Sequence, residues 1–277
     1  MMRFINLVSM ELNRLSKVLV GGLVVTMLFQ IAAIIIETRK YIGDINDQLR
    51  SGISKDSIIE TYGYMNFSQV SQTPLFLLPI ALCAGALFFY IFLIWYRDWT
   101  GKNTFIYRLL MLPTSRLNVF LAKAVSILLI VLGLVAFQLA ILPLEIKLLH
   151  SLVPADFLDK WTLTKVFISH PFFSIIIPGS FIQFILHYGA GFIVLTVLFT
   201  TILLERSYRW KGIILGILFA IGSMAISISP VIILGISEKT DYFYNSEIIM
   251  MLVGTCSIVG IISILFSRYL LNKKVTV

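Results

Sequence analysis

Long apolar runs separated by short charged stretches dominate the chain. Six of them fit the roughly 20 residues that a helix needs to cross a bilayer core. They lie at Val18–Ile36, Pro74–Trp95, Leu117–Leu142, Ser180–Leu204, Gly212–Ile236 and Ile248–Leu271. None contains Asp or Glu, and the cations inside their bounds are Lys123 and, near the last exit, Arg268. The runs lack the alternation, about ten residues at a time, of an outer-membrane barrel strand. The pattern predicts an all-α integral membrane protein, residues 1–277 forming a single domain of six transmembrane helices.

The stretches between and before the spans carry weaker patterns. In Met1–Lys17, Phe4, Leu7, Val8, Met10 and Leu15 are set among Arg3, Glu11, Asn13, Arg14 and Lys17. This predicts an amphipathic helix over 1–17 lying in the membrane interface before the chain turns inward, with a plain basic flank to the first span as the simpler alternative. The first apolar run has 19 residues and no small-residue cleavage site after it, so it is expected to remain as an anchor. Residues 38–72 read as a polar, charge-balanced loop. Over 144–170, mixed charge with Phe157, Trp161 and Phe167 suggests interfacial helices, and Pro171–Ile177 is expected in the outer interface or as a dip into the membrane and back. Residues 171–204 hold no charged side chain, but Pro178-Gly179 should interrupt them. Pro230 should kink or break the fifth span near its end.

Composition agrees with the periodicity. Hydrophobic residues make up 58% and charged residues 13% of the 277, against about 25% charged in a soluble globule. Mean hydropathy is +0.95. The net charge of +8 is distributed by side. The N-terminus, the 97–116 loop with Lys123, the 205–211 loop and the C-terminus carry 14 Lys and Arg against 3 acids, and the other three loops 8 against 11. Basic loops stay in the cytoplasm, so both termini are expected there and the 38–72 and 143–179 segments outside. The basic balance is thereby explained by topology, and nucleic acid is not an expected partner.

Enzyme motifs are missing. Thr100-Gly101-Lys102-Asn103-Thr104 lacks the earlier glycine of a phosphate loop and has no Ser or Thr directly after the lysine. No H-E-x-x-H occurs, His150, His170 and His187 are scattered, and Cys83 and Cys256 read as buried free thiols. No metal, no bound cofactor and no catalytic site are therefore expected in this chain. Polar residues within spans are few: Gln30, Gln138, Gln183, His187, Thr196, Thr200, Thr201, Ser223 and Ser227. Gln30, Gln138, Gln183, His187, Thr196 and Thr200 are the candidates for a substrate path. The alternative for all of them is interhelical hydrogen bonding, typically about 0.6 kcal/mol each. Gly212, Gly216 and Ala220 make a small-residue stripe suited to close helix approach, within the chain or between chains.

The stretch 97–116 is the most informative. Residues 104–112 can form about two turns of helix, roughly 13 Å long and too short to span. Thr104 can cap its start, Pro113 ends it, and Thr114 or Ser115 can cap the next span. Arg116 and Lys123 then lie two turns apart on one face. A short apolar helix flanked by charge suits either a partner's groove or the headgroup layer.

This loop resembles the permeases of ABC-2 type ATP-binding-cassette transporters, bacterial exporters especially. The shared pattern is an acid, a Gly-Lys pair, then an apolar LL-x-x-P-x-S-R leading into a helix with a lysine seven residues later. Asp98, Gly101, Leu109, Leu110, Pro113, Ser115, Arg116 and Lys123 supply it over about 27 residues; the family's acid is more often Glu. The resemblance implies a coupling helix at Thr104–Leu112 that docks into a cytoplasmic ATPase subunit. Thr104, Phe105, Tyr107, Arg108, Leu109 and Leu112 would make the contact. Asp98, Gly101, Pro113, Ser115, Arg116 and Lys123 would hold the loop's ends. Two copies of the ATPase, carrying the ATP and Mg2+, and a second permease, identical or homologous, are the implied partners, in the bacterial cytoplasmic membrane. The expected function is export of an amphipathic or hydrophobic compound such as a peptide antibiotic. A sensory or scaffold subunit that binds a ligand or partner on its outer loops is the alternative. A secondary transporter is disfavoured, because no carboxylate falls within the six runs and no inverted repeat is evident.

Overall fold

A computed structural model describes residues 2–100, 105–111, 114–159, 165, 176, 178–236 and 242–274. Its helices are α1 (Met2–Arg50), α2 (Lys55–Tyr62), α3 (Phe67–Ser71), α4 (Pro74–Trp99), α5 (Phe105–Leu110), α6 (Arg116–Leu152), α7 (Phe181–Tyr208), α8 (Trp210–Ile236) and α9 (Asn245–Lys273), with a 3-10 turn, η1, at Ala155–Phe157. Among the described residues there is no β-strand, only an isolated bridge between Met65 and Leu158. Six helices, α1, α4, α6, α7, α8 and α9, are long and apolar enough to cross a membrane. The protein is a multi-pass helical membrane protein.

Several elements exceed the apolar runs that announce them. No break separates residues 2–17 from the first span: α1 is one helix of 49 residues, so the expected turn after Lys17 does not occur. It also continues through the first part of the expected 38–72 loop. The buried stripe explains why, since Ile34, Thr38 and Ile45 are all withdrawn from solvent at helical spacing. Likewise α6 runs through Pro143 to Leu152, ten residues past the expected end, because Leu142, Ile146 and Leu149 keep one face buried. Glu145 thereby falls inside this helix, three residues past the apolar run.

The fifth span does not break at Pro230, and α8 passes through to Ile236. Proline removes the N–H that would bond the Ile226 carbonyl, and Ser229 Oγ donates to that oxygen instead at 2.8 Å. The Pro178-Gly179 interruption is present, and Ser180 caps α7 by accepting from the Gln183 N–H. Trp161, Phe167 and, of Pro171–Ile177, all but Ile176 lie outside the described residues. Phe157, expected at an interface, is buried.

The chain packs as two units, and α1, α4 and α6 each contribute to both. The first comprises residues 1–13, 87–129 and 180–277. In it α7, α8 and α9 pack on one another. A single residue, Arg209, joins α7 to α8 at φ 54°, a left-handed conformation that is uncommon for a side chain other than glycine. The approach is so close that a Cβ on Gly212 would stand 2.1 Å from the Leu204 carbonyl oxygen, and one on Gly216 would stand 3.3 Å from that of Thr201. These two glycines of the small-residue stripe are therefore used within the chain. Between α7 and α9, Thr200 Oγ1 lies 2.6 Å from Ser263 Oγ and 2.8 Å from Ser267 Oγ. Phe199 packs edge to face against both Trp95 and Phe120, with all three rings buried.

The second unit comprises residues 14–86 and 130–179. Its core gathers Ile34, Ile45, Ile58, Phe67, Phe76, Leu142, Leu149 and Phe157. The Met65 N–H donates to the Phe157 carbonyl at 2.9 Å, and the Asp159 N–H to that of Met65 at 3.0 Å. Tyr41 closes the corner by donating to the Gly63 carbonyl at 2.6 Å. A side chain is excluded at Gly63 by its φ of 70°. Lys55 pairs with Asp156 at 2.6 Å on the surface. The ion pair holds the Lys55 ammonium above, and the Asp156 carboxyl below, its ordinary range.

Candidate functional site

The 97–116 stretch and its supports lie in the first unit. Lys123 sits on α6 with its side chain 1% exposed, beside Glu11 and Asp98 at 2% each. An ammonium has three N–H donors, and each has an acceptor here. Lys123 Nζ lies 2.6 Å from Glu11 Oε1, 2.5 Å from Asp98 Oδ2 and 2.9 Å from the Ile94 carbonyl oxygen. The other oxygen of Glu11 accepts from Arg97 Nη2 at 2.8 Å. Two cations and two carboxylates thus meet in one buried cluster. Lys123 also stands 5.4 Å from the centre of the buried Trp95 ring. Breaking one partner of such a group costs far more than the whole arrangement contributes, because the others stay charged in a dry site. The arrangement therefore acts as a lock on the ends of α1, α4 and α6. With every ammonium proton engaged, Lys123 is not poised as a base or a nucleophile.

A second polar knot adjoins the end of α4. The Tyr96 hydroxyl donates to Glu205 Oε2 of α7. The Arg206 guanidinium lies over the Tyr96 ring at 4.5 Å and over Trp99 at 5.6 Å, close enough for cation–π attraction.

Between these helices, α5 covers Phe105–Leu110 of the expected 104–112. It buries Ile106, Leu109 and Leu110. Leu109 packs with Leu7, Val8, Val119 and Ala122. Tyr107 and Met111 are turned outward, 37% and 73% exposed. Leu109, a candidate contact for a partner, is thus occupied within this chain. Thr104, Leu112, Gly101 and Pro113 lie outside the described residues, as do the side chains of Phe105 and Arg108. Ser115 directly precedes α6, and its carbonyl accepts from the Asn118 N–H at 2.9 Å. Arg116 Nη1 donates to the Leu271 carbonyl at 2.6 Å, tying the start of α6 to the end of α9.

The candidate path residues are engaged in different ways within each unit. Gln30 Nε2 donates to Gln138 Oε1 at 3.1 Å in the second unit. In the first unit, Gln183 and His187 are exposed on α7, where His187 Nδ1 donates to the Gln183 carbonyl at 2.8 Å. Thr196 Oγ1 donates to the Ile193 carbonyl at 2.7 Å, and Thr200 joins the hydroxyl cluster with α9. The Gln30–Gln138 and Thr200 bonds join helices, and those of His187 and Thr196 stay within α7. Both cysteines are free and half-buried rather than buried.

Sequence reading missed Glu11 as a partner, together with Arg97, Trp95, Glu205 and Arg206. The available signal was Lys123 itself: a lysine deep in a span needs acids, and Asp98 alone leaves two ammonium protons unassigned. Among the described residues no cluster of His, Cys, Asp and Glu could hold a metal ion. No family model matches the chain, and neither a curated protein nor a solved structure matches it.

Proposed function

We propose that the chain is the membrane-spanning permease of an ATP-driven transporter of the ABC-2 type, coupled to a separate ATPase subunit through α5. One observation carries the reading. A short helix between two spans is anchored from beneath by Leu109 and Ile106, while Tyr107 and Met111 face outward. Its neighbours α4 and α6 are locked by the Lys123 cluster. A partner pressing on α5 would therefore move a stiff base rather than a loose loop. In this reading the base lies in the cytoplasm, a second permease completes the unit, and the ATPases supply ATP and Mg2+. The cargo is an amphipathic or hydrophobic compound, because the spans offer it few polar anchors.

The test is purification of the tagged chain in mild detergent, with mass spectrometry of what accompanies it. A soluble protein carrying a phosphate-loop motif is expected. Tyr107→Asp with Met111→Asp should release it without harming membrane insertion, since both positions are exposed. Recovery of the chain without any such ATPase, or an ATPase retained by the double variant, sinks the coupling role of α5.

The second reading, a scaffold or sensory subunit, is favoured by the ordered corner around Met65, Tyr41 and Phe157. It requires a partner that stays bound when α5 is altered.

A further inference from the structure

Where α7 turns into α8, Arg206, Arg209 and Lys211 fall within six residues. Arg206 is held over Tyr96 and Trp99, whereas Arg209 and Lys211 are exposed. Glu205, the sole acid of residues 205–236, accepts from the Tyr96 hydroxyl of α4. Lys274, at the end of α9, adds a further cation, its Nζ 5.6 Å from the centre of the Tyr208 ring. Trp210 stands between Arg209 and Lys211 in the chain and is 85% exposed. At helical spacing after it come Ile214, Ile217 and Ile221, each more than half exposed. The opposite side of α8 is occupied: Gly212 and Gly216 approach α7, and Phe219 meets Phe266 of α9. From Trp210 to Ile221 the exposed stripe rises about 16 Å, the depth of one leaflet in a hydrocarbon core about 30 Å thick.

We propose that the start of α8 binds an anionic phospholipid, with its phosphate on Arg209 and Lys211 and an acyl chain along Trp210, Ile214, Ile217 and Ile221. Two cations at the head of an apolar stripe match an amphiphile whose charge and chain are joined end to end. A free inorganic anion would use the cations and leave the stripe. An acidic protein face would have to bring polar groups against that stripe, where they lose water. Trp210 suits the boundary, since its indole has an apolar body and an N–H donor for an ester or phosphate oxygen. Net charge selects the lipid: a zwitterionic headgroup brings an ammonium of its own to the same cations, and a net negative one does not. Basic loops orient spans whichever face carries the charge; here the cations stand at the end of a stripe that α7 and α9 leave uncovered. The site does not depend on the transporter reading.

Native mass spectrometry of the purified chain in detergent tests it, with phosphatidylglycerol and phosphatidylcholine of the same acyl chains supplied in equal amounts. One phosphatidylglycerol per chain should be retained in preference, by about fivefold for each cation that it meets. Lys211→Gln should lower the preference by about fivefold, and Arg209→Gln with Lys211→Gln should abolish it. Lys211→Gln also answers if Arg209→Gln disturbs the single-residue turn. Dihexanoyl phosphatidylglycerol and inorganic phosphate should compete poorly, since neither covers the stripe. Equal retention of the two long-chain lipids overturns the site, as does a preference that survives the double variant. Displacement by inorganic phosphate or the short-chain lipid, at the concentration of the long-chain one, overturns the acyl-chain part. Capture of polyglutamate through Arg209 and Lys211 without any lipid preference would overturn it in favour of an acidic protein partner.

Discussion

Lys123 Nζ lies 2.6 Å from Oε1 of Glu11, an acid 112 residues earlier in the chain, and the two side chains are all but sealed from solvent. The pair holds the first helix, which begins at Met2, against the third apolar helix. Removing the lysine takes from Glu11 and Asp98 the buried cation that they share. Lys123→Met should therefore destabilise the protein by about 3–5 kcal/mol, read as a large fall in the midpoint of thermal unfolding in detergent. Adding Asp98→Asn should recover part of the loss by removing one of the two carboxylates that the lysine neutralised. A double variant less stable than the single one would contradict this account.

The α7–α8 hairpin tolerates no side chain at its tightest point. Gly212→Ala should cost about 1–3 kcal/mol, because backbone atoms of Leu204 and Glu205 have to shift. Gly222→Ala, further along α8 with nothing within 4 Å, should be neutral or slightly stabilising. The comparison of their unfolding midpoints separates crowding from helix propensity. Equal effects would dismiss the close approach.

Thr200 bridges α7 to both Ser263 and Ser267 of α9. Thr200→Val keeps the shape and loses those bonds, with an expected cost of about 0.6–1.7 kcal/mol. A stability change within error for this variant, measured beside Thr201→Val, would show that packing alone holds the two helices.

The Lys55–Asp156 pair answers to pH at both ends. The carboxyl is shifted down by its lysine, so the link is complete above the ordinary carboxyl range and is lost as pH falls through the lowered value. The lysine is shifted up, so its share is present below the ordinary lysine range and lost as pH rises through the raised value. Lys55→Met should return the Asp156 titration to its ordinary range, near 3.8, in a carbon-13 NMR titration of the labelled side chain. A midpoint unmoved by that change would break the assignment.

The six spans were legible because burial in lipid demands runs of apolar residues, and little else in a sequence has that length. Their ends were less so. Beyond Ile36 and Leu142 the helices go on as half-apolar stripes, and a stripe such as Thr38, Tyr41 and Ile45 shows as polar sequence unless the partner face is known. No break occurs at Pro230 for a local reason: the hydroxyl that satisfies the orphaned carbonyl belongs to the residue just before it. Of the base cluster, Asp98, Arg116 and Lys123 could be picked out from loop pattern. Glu11 could not, because it looks like any polar residue on an amphipathic helix until α6 is laid beside it. Of the six polar span residues, Gln30 and Gln138 bond to each other and Thr200 bonds to α9, because hydrogen bonding between helices uses the same side chains that would line a path.

Arg209 is the whole of the connection between α7 and α8, and that has a consequence for how the protein is made. Two apolar helices with one residue between them leave the ribosome without an aqueous segment to separate their entry into the membrane. They must be inserted together, as a preassembled hairpin, with Arg206, Arg209 and Lys211 at its tip. A stop in synthesis after Tyr208 would strand α7 before either helix on which it packs, α8 or α9, has been made.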